Sequence, residues 1–215
     1  EILPVMDADI RSEATKQFKR QGITIHTSTE VTSAETSGDS VEVEYSAVND
    51  AGEDGSGSWD RVLVSVGRVP NTDGLNLSAA GVETDDKGFI QVDEELTTHV
   101  DHIHAIGDVI GGAMLAHKAN HEGDQLANKI NGDWAHFDFE IPAAVFTHPE
   151  IAYVGLTEDQ AREEGYEVKT GKFQFSANGK ALALGEPDGF VKVIGDVETD
   201  DLLGVHIIGA HASDL

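Results

Sequence analysis

The stretch Ala105-Ile-Gly-Asp-Val109, followed by Met114-Leu-Ala-His-Lys118, decides the fold class of this chain. An apolar strand, Ile103 to Ile106, is predicted to end in Gly107-Asp108, and a helix is predicted to open at Met114. This order places a carboxylate and a helix N-terminus side by side at the carboxyl end of a strand, where open α/β sheets bind ligands. The helix end suits an electron-rich ring or an anion, and Asp108 can accept hydrogen bonds from hydroxyl groups.

Three segments carry a family resemblance. The Gly-Asp turn followed by Met114-Leu-Ala-His117 looks like the flavin-binding return segment of the dihydrolipoamide dehydrogenase family. The segment VLVSVGRVPN at 62–71 resembles the strand and GRxPN segment that close the nicotinamide-binding domain of two-dinucleotide-binding disulfide reductases. The segment FTHPEIAYVGLTE at 146–158 resembles the opening of their dimerisation domain. The resemblance narrows to dihydrolipoamide dehydrogenase through Met114–His117 and His148-Pro-Glu150, because glutathione and mercuric reductases carry different residues at both places.

The resemblance covers essentially the whole chain and implies an α/β fold in three parts. Residues 1–72 are expected to form the second half of a Rossmann-like NAD-binding domain. Residues 73–138 are expected to form the return segment of an FAD-binding domain, and residues 139–215 the N-terminal part of an α+β dimerisation (interface) domain. The chain starts without Met, and Ser213 would cap a first helical turn that does not continue. We therefore expect an internal fragment of a longer protein.

Local patterns predict the individual elements. A helix starts at Asp9, its expected N-cap, and Gly22 ends it. Alternating apolar residues predict paired strands at 24–34 and 41–48, whereas the polar, glycine-rich segment 49–58 is predicted to be a loop. Arg61–Val66 is apolar on both sides, as is typical of a strand inside a parallel sheet. Further predictions are a hairpin at 89–92, a helix at 114–131, a capping box of Thr157 with Gln160 before a helix at 158–164, and strands at 172–175, 190–194 and 202–208.

Acidic residues dominate the charge. The chain has 40 Asp and Glu against 14 Lys and Arg, a formal net charge of −26, and the acidic residues are distributed along the sequence. Such a surface indicates either binding of basic partners or, more commonly, a halophilic protein. In a halophilic protein, salt screens the repulsion between acidic residues, since the Debye length falls to about 3 Å at 1 M salt. It argues against nucleic-acid binding. No apolar run approaches the roughly 18 residues that span a membrane.

The resemblance implies the cofactor-binding residues. Asp108 would accept hydrogen bonds from the ribityl chain of FAD, and backbone N–H groups around Met114, Leu115, Ala116 and His117 would face the pyrimidine edge of the flavin. The dipole of the helix would then favour the reduced flavin. Gly67 and Val31 match positions that line the nicotinamide nucleotide. Gly67 has a physical reason, since a residue without Cβ lets the backbone approach a flat ligand, whereas Val31 is equally consistent with a core valine. The alternative for Asp108 is a simple turn residue.

The remaining histidines are interpreted as surface or structural residues. His99, His102 and His104 form an HxxHxH pattern that could gather a metal, but alternate residues of a strand face opposite ways and no cysteine joins them, so a surface role is favoured. His121 is expected to be solvated. His148 resembles the family's catalytic His-Pro motif but lies too early in the chain, and we expect it to have a structural role.

The whole protein is expected to pass electrons from dihydrolipoamide through a disulfide and FAD to NAD⁺. This chain contains no cysteine and lacks the family's catalytic His–Glu pair, so it supplies cofactor-binding residues and no catalytic residue. The resemblance also implies a cytoplasmic homodimer that serves a lipoyl-bearing acyltransferase or a glycine-cleavage carrier protein. The alternatives are a sister flavoenzyme, either another disulfide reductase or a pyridine-nucleotide transhydrogenase, and a non-catalytic nucleotide-binding module.

Overall fold

The structure is a computed structural model that describes residues 1–133 and 140–215. It has a mixed α/β fold with two antiparallel sheets, in agreement with the predicted class. Its contacts divide the chain into two compact units, one formed by Glu1–Val64 with Pro142–Leu215 and the other by Ser65–Ile141. The division into segments 1–72, 73–138 and 139–215 stays a prediction, and the boundary between residues 138 and 139 lies outside the described residues.

The first unit contains a small sheet in which β1 (Thr29–Ser37) pairs with β2 (Ser40–Ala47) and β2 pairs with β3 (Gly55–Trp59). The β1–β2 hairpin confirms the pairing that the alternating pattern predicted. The loop predicted at 49–58 was wrong in its second half, because β3 begins within it. The glycine and serine residues of β3 have low strand propensity, but the backbone ladder with β2 outweighs it.

A five-stranded antiparallel sheet belongs to the same unit. Its strands and the helices between them are β4 (Ala143–Val145), β5 (Glu150–Gly155), α3 (Glu158–Glu163), β6 (Val168–Gln174), α4 (Gly179–Leu184), β7 (Phe190–Asp196) and β8 (Leu202–Gly209). The strand order is β4-β5-β8-β7-β6. Strands β6, β7 and β8 confirm the three predicted strands. Strand β6 begins earlier than predicted and ends one residue earlier, whereas β7 and β8 extend beyond the predicted ends. Thr157 caps the short helix α3, and the side chain of Gln160 accepts from the N–H of Thr157, so the predicted capping box is present.

Helix α1 (Ala8–Arg20) packs against one face of this sheet. Ile10 and Ala14, on the face of α1 that contacts the sheet, are fully buried. The predicted N-cap was wrong by two residues: Asp7 caps the helix, and its carboxylate accepts from the N–H of Asp9 at 3.0 Å. Asp9 lies in the first turn, where a carboxylate is also favoured by the helix dipole.

Behind the helix N-terminus lies a buried lysine. The ammonium group of Lys192 on β7 lies 2.9 Å and 3.0 Å from the two carboxylate oxygens of Asp7, 2.9 Å from Asp9 and 2.8 Å from Glu158. The Lys192 side chain is 3% exposed and the Asp7 side chain 1% exposed. Burial opposes ionisation of Lys192, but hydrogen bonds to the three carboxylates outweigh it and raise its pKa. The cluster therefore ties α1 and α3 to the sheet through charge.

The second unit is built around helix α2 (Ala116–Asn131) and a small apolar core of Val82, Ile90 and Ala105. The strands predicted at 89–92 and 103–106 are reduced to isolated bridges, Thr84 with Ile90 and Thr97 with His104. Asp108 follows in a short 3-10 turn, Gly107–Ile110.

The strand predicted at Arg61–Val66 was wrong for this structure, in which the segment is irregular and exposed. Its apolar residues Leu63 and Val66 are open to solvent. A parallel-sheet strand exists only where neighbouring strands accept and donate its backbone hydrogen bonds. Among residues 1–133 and 140–215, no strand pairs with it.

Candidate functional site

The turn that carries Asp108 points its carboxylate toward solvent. Gly107 adopts a left-handed conformation, with φ of 77°, which glycine supplies without strain. The Asp108 side chain is 46% exposed and pairs with Arg68, whose Nη1 lies 3.0 Å from Oδ2. Sequence reasoning missed Arg68, although it is the second residue of the GRxPN segment. The arrangement leaves Oδ1 of Asp108 as an acceptor for a hydroxyl donor.

Helix α2 begins at Ala116, two residues later than the sequence predicted. Its N-cap, Leu115, is extended, and no side chain caps the helix end. Met114 and Leu115 are half-buried, whereas Ala116 and His117 are exposed. The first-turn N–H groups of a helix have no partner within the helix, and they carry its partial positive charge. This end of α2 can therefore face an electron-rich or anionic group.

Two side chains of α2 tie the Asp108 turn to the helix. Glu122 accepts from the N–H of Gly107 at 2.7 Å. Lys118 pairs with Glu122 and donates to the carbonyl oxygen of Gly111 at 3.3 Å. The sequence analysis missed both residues, although their i, i+4 spacing on a predicted helix was a signal for such a pair.

The residues present suit a flavin dinucleotide. A partly exposed carboxylate, Asp108, offers acceptor oxygens to a polyhydroxyl chain. An uncapped helix N-terminus on the element tied to that turn offers donors to an electron-rich ring edge. These are the two kinds of group that the sequence predicted there, and the structure places them in one compact unit.

The nicotinamide positions are split between the two units. Gly67 has a φ of 126°, and no atom lies within 4 Å of the place where a Cβ would stand, so the backbone surface is open. Val31 is exposed on β1, next to a register shift between Val31 and Ser33. Its exposure argues against the alternative of a core valine. Nicotinamide binding by these two residues stays a prediction.

The histidines do not form a metal centre among the described residues. No group of three or more His, Cys, Asp or Glu side chains within 1–133 and 140–215 is arranged to hold a metal ion. His99 and His102 are exposed, and His104 is half-buried. His148 is exposed, and its carbonyl oxygen accepts from the side chain of Gln21 at 2.6 Å. No helix in this described part has both the length and the apolar character required to cross a membrane.

Two models of one protein family match most of the chain. Residues 1–123 match the family model described as pyridine nucleotide-disulphide oxidoreductase, and residues 141–215 match the model of the dimerisation domain of that family. The whole chain is 46% identical to a dihydrolipoyl dehydrogenase of Cupriavidus necator and covers 45% of its length. It is also 46% identical to a leghemoglobin reductase of Glycine max, of which it covers 41%.

A solved structure shares the fold. The HOCl-induced flavoprotein disulfide reductase RclA from Escherichia coli matches the whole chain with a TM-score of 0.89 and 26% identity, over 48% of its own length. The chain thus spans less than half the length of each of these three proteins. The comparisons confirm the resemblance that the motifs indicated.

Proposed function

The chain belongs to the pyridine nucleotide-disulphide oxidoreductase family, and we propose that it forms part of a dihydrolipoamide dehydrogenase. The observation that carries the proposal is the partly exposed carboxylate of Asp108, which lies in the same compact unit as α2, a helix whose N-terminus no side chain caps. Identity of 46% over the whole chain to a dihydrolipoyl dehydrogenase supports it. Bound FAD would supply the redox chemistry, taking two electrons that originate in dihydrolipoamide and passing them as hydride to NAD⁺.

The residues of this chain bind and tune rather than catalyse. In the proposal, Asp108 would accept hydrogen bonds from the ribityl hydroxyls and so help to hold the flavin. The N–H groups at Met114–His117 would face the pyrimidine edge, and their positive potential would stabilise negative charge there. Gly67 and Val31 contact the nicotinamide nucleotide. The disulfide and the catalytic acid–base pair are contributed by residues that this sequence does not contain.

The assembly is part of the same proposal. The match of residues 141–215 to a dimerisation domain supports a homodimer. The partner we propose is a lipoyl-bearing acyltransferase or a glycine-cleavage carrier protein, since these present the dihydrolipoamide substrate. A cytoplasmic location remains a prediction.

A second candidate is a sister flavoenzyme with another electron acceptor or donor. The equal identity to a leghemoglobin reductase and the fold shared with a flavoprotein disulfide reductase favour it. Its cofactor-binding residues would be the same, so only the substrate separates the two.

The visible spectrum of the full-length protein in high KCl, recorded under nitrogen before and after addition of dihydrolipoamide, tests the proposal. We expect a flavin spectrum that changes on addition of substrate and returns on addition of NAD⁺. A flavin spectrum that does not change on addition of dihydrolipoamide would favour the sister flavoenzyme. Absence of flavin from the purified protein would refute the cofactor assignment. Asp108→Asn should lower the flavin content, whereas Asp124→Asn, at an exposed position on α2, should not.

A further inference from the structure

Helix α2 carries a buried carboxylate that the proposed chemistry does not use. The Glu122 side chain is 11% exposed and the Lys118 side chain 13% exposed. One oxygen of Glu122 pairs with Lys118, and the other accepts from the N–H of Gly107 at 2.7 Å. Lys118 also reaches the carbonyl oxygen of Gly111, at 3.3 Å. The pair therefore holds both ends of the turn that carries Asp108.

The close fit of the turn to α2 supports a positioning role. A Cβ added at Gly107 would lie 3.3 Å from the Cβ of Ala119, so the turn rests directly on the helix. The N–H of Gly107 belongs to the peptide that joins Ile106 to Gly107, so the hydrogen bond to Glu122 fixes the backbone one residue before Asp108. Well-packed apolar residues often replace a buried ion pair with no loss of stability. Apolar residues could not accept the directional hydrogen bond from the turn, however, whereas Glu122 does.

We propose that Glu122 and Lys118 are positioning residues for the flavin. They hold the Asp108 carboxylate in register with the N-terminus of α2, so that one dinucleotide meets both groups at once. The inference rests on the proposed function, in which Asp108 and residues 114–117 bind FAD. It predicts that FAD affinity depends on the acceptor at position 122 and that this dependence acts through Asp108.

Two double variants isolate the acceptor. Lys118→Met with Glu122→Leu removes both charges and the acceptor, whereas Lys118→Met with Glu122→Gln removes both charges but keeps an oxygen for the N–H of Gly107. Leu and Gln are similar in size, so the two proteins differ mainly in that hydrogen bond. The apo forms of the full-length protein are titrated with FAD in high KCl, and binding is followed by flavin fluorescence. Their melting temperatures are measured in parallel, with Asp124→Asn as the control.

The Leu variant should bind FAD about tenfold more weakly than the Gln variant, as expected for loss of one neutral, well-oriented hydrogen bond. It should also melt at a somewhat lower temperature, because the buried N–H of Gly107 loses its acceptor. In the Leu background, Asp108→Asn should weaken FAD binding less than it does in the wild type, because the two residues act through one contact. Equal FAD affinity of the Leu and Gln variants, in a protein whose Asp108→Asn change does weaken binding, would overturn this inference alone. A wild-type protein that binds no FAD would overturn the proposed function and the inference together.

Discussion

Replacement of Lys192 by Met should destabilise the protein strongly, because it removes the cation that neutralises the buried carboxylate of Asp7. The Asp7 side chain is 1% exposed, so water cannot take the place of the ammonium group. Breaking a buried ion pair from one side costs about 3–5 kcal/mol. Asp7 also accepts from the N–H groups of Asp9 and Glu158. These bonds partly satisfy the carboxylate and place the expected loss near the lower limit, about 3 kcal/mol.

The assay is urea unfolding of the full-length protein in molar KCl, with Lys169→Met as the matched control. Lys169 pairs with Asp200, and both side chains are largely exposed. Loss of an exposed pair costs at most about 1 kcal/mol. The double variant Asp7→Asn with Lys192→Met should recover most of the stability, because no buried charge is left unpaired. A loss for Lys192→Met no larger than that of the control, or a double variant as unstable as the sum of its parts, would refute the reasoning.

The dependence of stability on acidic pH provides a second test of the same cluster. Hydrogen bonds from Lys192 and then Arg162 lower the pKa of Glu158. A carboxyl group whose pKa is lowered by folding stabilises the protein above its unfolded pKa of about 4.3, and this stabilisation is lost as the pH falls through the folded value. The wild type should therefore lose stability below about pH 4.3, and Lys192→Met should lose less over the same range.

Three further predictions concern the pH, the nicotinamide position and salt. Burial lowers the pKa of His206, so the stability that its neutral form contributes should be fully present above the unfolded pKa of about 6.5 and should fall as the pH drops below it. In urea unfolding between about pH 7.5 and 5.5, His206→Gln should make the free energy of unfolding depend less on pH. The control His102→Gln, at an exposed position, should leave that dependence unchanged. Gly67→Ala and Gly132→Ala should each lower the free energy of unfolding by about 1 kcal/mol through backbone strain at positive φ. In steady-state kinetics, only Gly67→Ala should raise the KM for NAD⁺. Equal KM values for the two variants would remove Gly67 from the site. The 215-residue chain, with its net charge of −26, should lack a cooperative thermal transition by circular dichroism in dilute buffer; a cooperative transition there would contradict this expectation.

Elements governed by nearby residues were predictable from the sequence. The Thr157 capping box depends on residues three apart, and the β1–β2 hairpin on alternation over a short span. Errors arose where a distant partner decides the outcome. The glycine-rich strand β3 forms because β2 offers it a ladder, and Arg61–Val66 stays irregular because no described strand lies beside it. Hydrophobic pattern predicts a tendency to pair, whereas pairing itself requires the neighbour.

The candidate site shows the same limit. The Gly-Asp turn and the start of α2 were readable from motifs, but the pair of Arg68 with Asp108 joins residues 40 positions apart. The pair of Lys192 with Asp7 joins residues 185 positions apart, and no periodicity in the sequence connects them. Only Lys118 with Glu122 had a local signal, and on a helix surface such spacing is normally a solvent-exposed pair. Its burial beneath the Asp108 turn depends on the tertiary structure.

The location of the cations bears on how an acidic protein organises its interior. The chain has 14 Lys and Arg, and Lys118 and Lys192 are both largely buried against carboxylates at points where separate segments meet. Salt screens exposed charges within a few ångströms but acts weakly on buried pairs. A surface that relies on salt to relieve repulsion can therefore coexist with interior contacts that do not depend on it. On this argument, salt would act on the exposed carboxylates, while each buried lysine fixes the segments that it joins, including the Asp108 turn on α2.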